Sequence, residues 1–387
     1  MQLTKATRYT VADLKGANAP IVTVDEKVTE DIAALTKEVA NAMTEAYQAT
    51  DKKLAVKIVE KTEKTATFDI TANEYTVPAE GLKMTFPVEA VEDGKKAVIV
   101  HRHNGKTYVT TGEVRYGFVS YFNTLGFSEF TVGDATALSE ALAAGGDVIL
   151  NSDIALTEMI TIPAGVTVTL DLNGKAITVP ETTGNHIYAF QNKGNLTIKD
   201  SVGSGSISAR GIYNGVSGSE ANADIKMTIE SGNFFAIDSN GGACIFNYAE
   251  LEVKDGTFEG IVAAINMNSG TVTINGGTFR TVSSGSYVIQ NNGGSLTVND
   301  ATVDRGFGAV GCYNGTTVIN GGSYLPTGRQ SATCHVVYVA AAANVTINGG
   351  TFKMNYLVDA VPESGSAVSS YFNGNVSITT PEAKREE

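Results

Sequence analysis

The sequence predicts a mainly β protein whose larger part is a right-handed parallel β-helix. A short pattern of apolar and aromatic residues recurs through the second half of the 387-residue chain. Within each copy the residues alternate in polarity, and glycine or asparagine ends each run, which is typical of short strands. Glycine use changes as well, because 7 glycines lie in residues 1–132 and 34 in residues 133–387. We therefore place a domain boundary near Gly133.

Each copy of the repeat begins with an apolar residue and reaches an aromatic or apolar residue five positions later, after a corner rich in glycine or asparagine. A coil of this length cannot bury its apolar side alone, so roughly eight successive coils must stack, each about 4.8 Å from the next. The strong copies are spaced by 21 to 28 residues and begin at Ile229, Val253, Ile274, Val298, Ile319 and Ile347. Weaker copies begin at Leu172, Ile198 and Ile378.

Asparagines form a second register. Asparagine tolerates left-handed corners, and its amide can hydrogen-bond to the same group on the next coil. The spacing therefore predicts a stack of asparagine corners, five or six residues before the apolar position, at Asn192, Asn247, Asn268, Asn292, Asn314 and Asn373. The three cysteines, Cys244, Cys312 and Cys334, are expected to be small buried residues rather than nucleophiles.

The entry to the coils reads as a short helix followed by strands. Residues 134–144 (DATALSEALAA) place Leu138 and Leu142 on one face, Asp134 is the expected N-cap, and Gly145 ends the helix. The run from Ala137 (ALSEALAAGGDVIL) through VTVTLDLNGKAIT resembles the entry to pectin-lyase-like β-helices, which are common in phage fibres and in surface proteins of gut bacteria. The resemblance covers residues 133–387 and implies the fold; on function it is weak.

Two further parts precede the coils. Residues 1–50 read as an attachment arm with a helix over residues 28–48, whose apolar residues have coiled-coil spacing. We expect this helix to form a homotrimer, or alternatively to pack on the next domain, through Ile32, Leu35, Val39, Ala42 and Ala46. Residues 54–132 alternate in short runs separated by turns at 92–94 (EDG) and 104–105 (NG), which predicts a small antiparallel sandwich. Its pattern is similar to that of Ig-like adhesion modules of gut-bacterial surface proteins.

The sequence marks no catalytic, cofactor or metal site. Acids are scattered through the coils without a pair that could serve as acid and base. Asp200, Glu230, Asp255 and Asp300 follow the apolar position of their copies, so they either line an edge that binds Ca²⁺ or form a row of solvated corners, and we favour the corners. His101 and His103 alternate on a strand of the sandwich, which is too little for a metal site.

Aromatic residues are the better candidates for ligand contact, since rings stack on sugars. Tyr213 and Tyr356 lie in the longer insertions, and we predict that they contact glycan. Residues 133–387 hold 12 Lys+Arg and 23 Asp+Glu, which disfavours nucleic acid as a partner. No apolar run reaches 18 residues, so no membrane span is expected.

From these parts we expect a structural and adhesive virion protein. It would be a bacteriophage head fibre or capsid decoration, bound to capsid or tail proteins through its arm and displaying the rod to a host surface or glycan. Residues 1–10 lack the apolar core of a secretory signal, so we expect assembly in the host cytoplasm and exposure on the particle. Two alternatives stay open: a tail-spike polysaccharide depolymerase, whose trimer would assemble carboxylates from two chains, and a bacterial cell-surface adhesin.

The coiled-coil spacing generates a first prediction. The full chain should have three times its monomer mass of 40.5 kDa in solution. Lysine at both Leu35 and Val39 should return it to the monomer, because charges at core positions of a coiled coil are not tolerated. Light scattering after size exclusion measures both masses, and a monomeric unmodified chain would remove the predicted trimer.

Overall fold

The structure is a computed structural model. It describes residues 54–72, 77, 79, 81–179, 187–237, 241–282, 285–327, 336–352 and 375–378, and the backbone of Ile21 and Val22. The chain is mainly β, as predicted, and its parallel coils form a solenoid. It divides into two compact units, Met1–Ile154 and Ala155–Glu387. The predicted helix over residues 28–48, with Ile32, Leu35, Val39, Ala42 and Ala46, lies outside the described residues.

The first unit is a sandwich of two sheets with a short helix. One sheet has the antiparallel strand order β1-β4-β7, and the other has the order β2-β3-β8-β5-β6-β9, in which only β6 and β9 are parallel. The elements are β1 (Ile21–Val22), β2 (Leu54–Lys61), β3 (Thr65–Ala72), β4 (Leu82–Pro87), β5 (Lys96–His103), β6 (Lys106–Glu113), β7 (Phe118–Asn123), β8 (Glu129–Gly133), α1 (Thr136–Ala144) and β9 (Gly146–Leu150).

The core of the sandwich forms because alternate residues of both sheets point inward. The ring centroids of Phe68 and Phe86 are 5.7 Å apart, and those of Phe86 and Phe130 are 5.4 Å apart. Both sheets contribute to the same buried cluster, which includes Ile70, Met84, Ile99 and Val119. The predicted turn at residues 104–105 joins β5 to β6 with positive φ at both Asn104 and Gly105, as a type I′ hairpin requires.

Helix α1 begins two residues after the predicted N-cap. Its N-cap is Ala135, without a side-chain hydrogen bond, while Asp134 Oδ1 accepts from the backbone N–H of Thr136 at 2.8 Å. Leu138 and Leu142 are buried, as predicted. Composition placed the boundary near Gly133, which ends β8, whereas in the structure α1 packs against β5 and β8 and belongs to the first unit.

The second unit is a β-solenoid of about eight coils, consistent with a right-handed parallel β-helix. Strand β10 (Ile154–Ala155) precedes the coils, a 3₁₀ helix spans Glu220–Asp224, and β35 (Asn375–Ile378) adds a ninth second strand. The coils, each given as first, second and third strand, are β11 (Ile160–Ile162), β12 (Thr167–Asp171), β13 (Ala176–Thr178); β14 (Phe190–Asn192), β15 (Asn195–Lys199), β16 (Ser206–Ala209); β17 (Ile212–Asn214), β18 (Lys226–Ile229), β19 (Asn233–Ala236); β20 (Ala243–Asn247), β21 (Glu250–Val253), β22 (Thr257–Gly260); β23 (Ala263–Met267), β24 (Thr271–Ile274), β25 (Thr278–Thr281); β26 (Tyr287–Asn291), β27 (Ser295–Val298), β28 (Thr302–Arg305); β29 (Gly308–Cys312), β30 (Gly315–Ile319), β31 (Ser323–Tyr324); and β32 (Val337–Val339), β33 (Ala343–Ile347), β34 (Thr351–Phe352).

Strands of the same rank pair in parallel from coil to coil, so the solenoid has three sheets and each repeat position becomes a column of stacked side chains. The predicted apolar column is confirmed from Ile198 to Ile347, and the backbone of Ile378 pairs in register with Ile347. Leu172 was placed in it wrongly: Leu170 pairs with Ile198, because the chain turns two residues earlier than the weak copy suggested.

The aromatic end of the repeat forms a second buried column, on the third strands. Phe258 is fully buried, and its ring lies parallel to those of Phe234 and Phe279, with centroids 4.8 and 4.9 Å away. Tyr324 and Phe352 stack in the same way at 4.8 Å. Offset ring stacks of this kind add to the free energy gained by burial.

Asparagines do stack inside the solenoid, at the ends of the first strands. Asn192 Nδ2 donates to Asn214 Oδ1 at 2.9 Å, and Asn214 Nδ2 donates to Asn247 Oδ1 at 2.7 Å. The column then continues through Met267 and Asn291. The predicted members Asn268 and Asn292 are therefore wrong by one residue, because the corner before the second strand is one residue longer in those coils.

The cysteines that the structure describes are core residues, as predicted. Cys244 and Cys312 are buried free thiols, and Cys334 lies outside the described residues. Burial raises the pKa of the Cys312 thiol to about 12, so this side chain stays uncharged. They occupy different columns, since Cys312 pairs with Asn291 while the neighbours of Cys244 pair with Ala263 and Ile265.

The ring column leads to a second prediction. Phe258→Ala should lower the free energy of unfolding of the solenoid by about 3–5 kcal/mol, because it leaves a cavity between two rings. Phe235→Ala is the matched control: Phe235 lies one coil earlier on the same sheet, points outward and is 36% exposed, so its removal should cost less than about 1 kcal/mol. Urea unfolding followed by circular dichroism measures the difference. Equal losses of unfolding free energy in the two variants would contradict the stabilising role of the ring column.

A buried histidine makes the sandwich sensitive to acid. His101 is 1% exposed, its ring stacks on Phe130 with centroids 4.0 Å apart, and its Nε2 lies 3.1 Å from Ser128 Oγ. Burial, with a smaller contribution from nearby His103, lowers the pKa of His101 from 6.5 to about 3. The folded state therefore binds the proton more weakly than the unfolded state does.

A third prediction follows from that pKa. Stability from neutral His101 is fully present above pH 6.5 and is lost as the pH falls toward 3, by about 1.4 kcal/mol for each pH unit. His101→Gln keeps a donor for Ser128 but cannot titrate, so its sandwich should lose less stability over this range than the unmodified protein. Thermal unfolding at pH values from 7 to 4 measures both curves, and parallel curves would contradict the assigned cause.

Candidate functional site

The first strands of the solenoid carry an outward-facing column of side chains, which we call the outer column. Parallel in-register pairing places one residue from each coil in this line, because side chains of a strand alternate between inside and outside. Its members are Gln191, Tyr213, Phe246, Asn266, Gln290, Gly311 and Tyr338. Except for the buried Gly311 they are half-buried, with one side open to solvent.

The first aromatic cluster lies over the second, third and fourth coils. The ring centroid of Tyr213 is 4.3 Å from that of Tyr188, 5.3 Å from that of Phe246 and 6.2 Å from that of Tyr248. The guanidinium carbon of Arg210 lies 5.1 Å from the centre of the Tyr188 ring, within the range of a cation–π contact. Four rings and one cation thus form a continuous half-exposed patch.

The second aromatic cluster lies over the sixth to eighth coils. The ring centroid of Tyr338 is 5.8 Å from that of Tyr287 and 5.5 Å from that of Tyr313, and Phe307 meets Tyr287 edge-on at 5.7 Å. Gly311 makes room for this packing, because a Cβ atom there would lie 2.9 Å from Cγ of Tyr287. Tyr313 is the most exposed of the four rings, at 37%.

Amide side chains separate the two clusters. Asn292 Nδ2 donates to Asn266 Oδ1 at 2.7 Å, and Gln290 Nε2 donates to the backbone carbonyl of Tyr287 at 3.1 Å. An amide side chain carries both hydrogen-bond donors and an acceptor, so this stretch can donate hydrogen bonds to hydroxyl groups and accept hydrogen bonds from them. The outer column therefore alternates ring, amide and ring along one face of the solenoid.

Two phenols of the first cluster have raised pKa values. Burial, together with a hydrogen bond to Tyr188, raises the pKa of Tyr213 to about 12 and outweighs the opposite effect of Arg210. Burial also raises the pKa of Tyr248 and, in the second cluster, that of Tyr313. The surface can thus stack on apolar faces and exchange hydrogen bonds with hydroxyls.

The sequence located one member of this surface and missed the others. Tyr213 lies in β17 and points outward, rather than in an insertion as the sequence suggested, and Tyr356 lies outside the described residues. A usable signal was present: Tyr213 and Phe246 each directly precede an asparagine of the interior column, so they must point outward. The spacing used for prediction misaligned that column in later coils and hid the pattern.

Two of the four acids at the repeat corners, Asp200 and Glu230, make contacts within the fold. The buried Asp200 carboxylate accepts backbone N–H groups from Gly174 at 2.7 Å and from Gly205 at 2.5 Å, and Glu230 pairs with Lys254 at 3.1 Å. Within the described ranges, no group of three or more His, Cys, Asp or Glu side chains could hold a metal ion. Across the same ranges, no helix has the length and apolarity needed to cross a membrane.

Comparison of the chain with protein-family models, with curated proteins and with solved structures finds no match. The resemblance to pectin-lyase-like β-helices is supported as far as the solenoid itself.

Proposed function

We propose that this chain is a structural and adhesive protein of a virus particle, a bacteriophage head fibre or capsid decoration. In this proposal the solenoid is a stiff rod whose outer column contacts a glycan on the host surface. The N-terminal arm and helix attach the chain to capsid or tail proteins and join three copies. The protein is then exposed on the particle and acts by binding rather than by catalysis.

The observation that carries the adhesive part is the pair of aromatic clusters on one face. Interior rings are explained by folding, but Tyr213, Phe246 and Tyr338 stand on the outer side of their strands. Single apolar residues on a surface need no explanation, whereas half-exposed rings grouped into patches commonly mark contact sites. Uncharged phenols beside amides suit sugars, which combine an apolar face with hydroxyl groups.

The rod-like role is supported by the regularity of the interior. Equivalent interior positions of neighbouring coils stack in columns, so the solenoid is stabilised by contacts between neighbours along its length. A close-packed interior has low compressibility and holds its outer surface in one geometry. A rigid surface loses little conformational entropy when it binds a ligand, which favours binding to extended surfaces.

The fourth prediction tests adhesion. Purified full chain should bind host cells, and Tyr213→Ala combined with Phe246→Ala should weaken binding about tenfold, since stacking and ring burial together are worth about 1–2 kcal/mol. Phe235→Ala is the matched control, because it removes an outward ring from a different sheet of the coil that carries Tyr213. Cell binding measured with labelled protein gives the comparison, after circular dichroism confirms folding of all three proteins.

Retained binding in the double variant would exclude the first cluster as the contact surface. Electron cryomicroscopy of particles tests the location: short rods on capsomers or vertices, with residues 1–50 at the base, are expected for a head fibre. Rods on the tail together with release of oligosaccharides from host polysaccharide would favour the depolymerase alternative. Absence of the protein from every particle would favour a bacterial surface adhesin.

A further inference from the structure

A second surface, which no sequence pattern marked, lies in the first unit. It is an open cleft of about 430 Å³ between β6 and β7. Three of its lining residues carry aromatic rings, Tyr108, Tyr121 and Phe122, and three carry hydroxyl groups, Thr110, Thr111 and Ser120. The hydroxyl of Thr110 lies 2.8 Å from Ser152 Oγ, and that of Ser120 lies 3.2 Å from Thr85 Oγ1. A volume of this size lies within the range of sites for small molecules, about 300–1,000 Å³.

The cleft lies where strands of the two sheets approach closely. At Gly112 a Cβ atom would lie 2.5 Å from Cγ2 of Val119 and 3.0 Å from the carbonyl oxygen of Ser120. Only glycine permits this contact without moving β7. The strands β6 and β7 are therefore held together beside the cleft, and their neighbouring side chains form its two walls.

The rim of the cleft is held in place by hydrogen bonds. Buried Asn123 accepts the backbone N–H groups of Leu125 at 3.1 Å and Gly126 at 3.2 Å, so the loop after β7 has a defined shape. Opposite, the backbone N–H of Asn151 donates to the carbonyl of Val109 at 2.7 Å. Side chains of Leu125 and Asn151 line the opening. A rim with these bonds needs little ordering when a ligand binds.

Tyr121 forms a fixed wall. Its hydroxyl lies 3.4 Å from Nδ1 of His101, and its ring centroid is 6.0 Å from that of Phe130 in the sandwich core. Burial, with a smaller effect of Tyr108, raises the pKa of Tyr121 to about 12. The phenol is therefore uncharged. Phe122, in contrast, is 59% exposed and stands free at the mouth of the cleft.

We infer that this cleft binds a neutral saccharide of one or two units. Among the described residues that line it there is no Lys, Arg, His, Asp or Glu, although the chain has 28 Lys and Arg and 41 Asp and Glu residues. Anions and cations would be desolvated there without a charged partner. Hydroxyl groups, one amide and three rings match a ligand that has hydroxyl groups at its edge and C–H bonds on its face. This inference does not depend on the function proposed for the solenoid.

Saturation-transfer NMR on the full chain tests the inference, with D-glucose, D-galactose, N-acetyl-D-glucosamine, maltose and lactose as probes. At least one probe should receive saturation at its ring protons. Phe122→Ala should weaken its binding about tenfold through lost stacking and ring burial. Thr111→Val, which removes a hydroxyl with little change of shape, should also weaken binding.

Tyr116→Asn is the matched control, because Tyr116 is 51% exposed on the same sandwich and does not line the cleft. Asparagine also tolerates the φ of 56° found there. The control should bind as the unmodified chain does. If sugar binding survives Phe122→Ala and Thr111→Val but is lost with Tyr213→Ala, the sugar binds to the solenoid. That result would overturn this inference and leave the proposed function intact. No binding of any probe would overturn it too.

Discussion

In-register stacking of one coil on the next is the constraint on which the second unit depends. The same backbone hydrogen bond recurs between equivalent corners of neighbouring coils. The N–H of Glu230 donates to the carbonyl of Ile198, and that of Lys254 donates to the carbonyl of Ile229, both at 2.8 Å. No single coil has enough apolar surface to fold alone, so each is stabilised by its neighbours. Since side chains alternate across a strand, a slip of one residue would exchange inside and outside. The interior columns of aliphatic, aromatic and amide side chains oppose such a slip.

The same stacking produces the candidate surface. Tyr213 and Phe246 come from different coils, yet their rings touch because pairing aligns equivalent positions about 4.8 Å apart. Tyr188, just before the first strand of the second coil, adds a third ring 4.3 Å from that of Tyr213. A solenoid thus turns a single outward position into a line of contacts. The chemistry of such a line depends on its side chains, which here are mostly aromatic rings and amides. The proposed function follows from this composition of the line, while the solenoid only sets its geometry.

The sandwich is organised by individual contacts rather than by a repeat. Its strands are antiparallel, its residues do not repeat, and its contacts are individual: His101 stacks on Phe130, and Ser128 Oγ lies within 3.2 Å of nitrogens of both His101 and His103. Its cleft forms where β6 approaches β7 at Gly112, and no column or period describes it. The two units therefore offer two kinds of surface, a long repeated face and a small open cleft. Their ligands can be tested separately with variants that leave the other unit unchanged.

The sequence by itself determined the class of fold, the order of its parts and the two interior columns headed by Ile198 and Phe234, because a period of repeated apolar residues can be satisfied only by stacking. It also indicated the hairpin at Asn104 and the apolar face of α1. Only the tertiary structure decided which asparagines share a column. A corner that gains one residue leaves the spacing of the apolar positions unchanged, but it moves the column member from Asn292 to Asn291. The tertiary structure alone also brought Tyr188, Tyr213 and Phe246 together and formed the cleft beside Gly112. The cleft depends on contacts between strands far apart in sequence, which local patterns do not record, and the outward rings can be recognised in the sequence only once the register of the asparagine column is known.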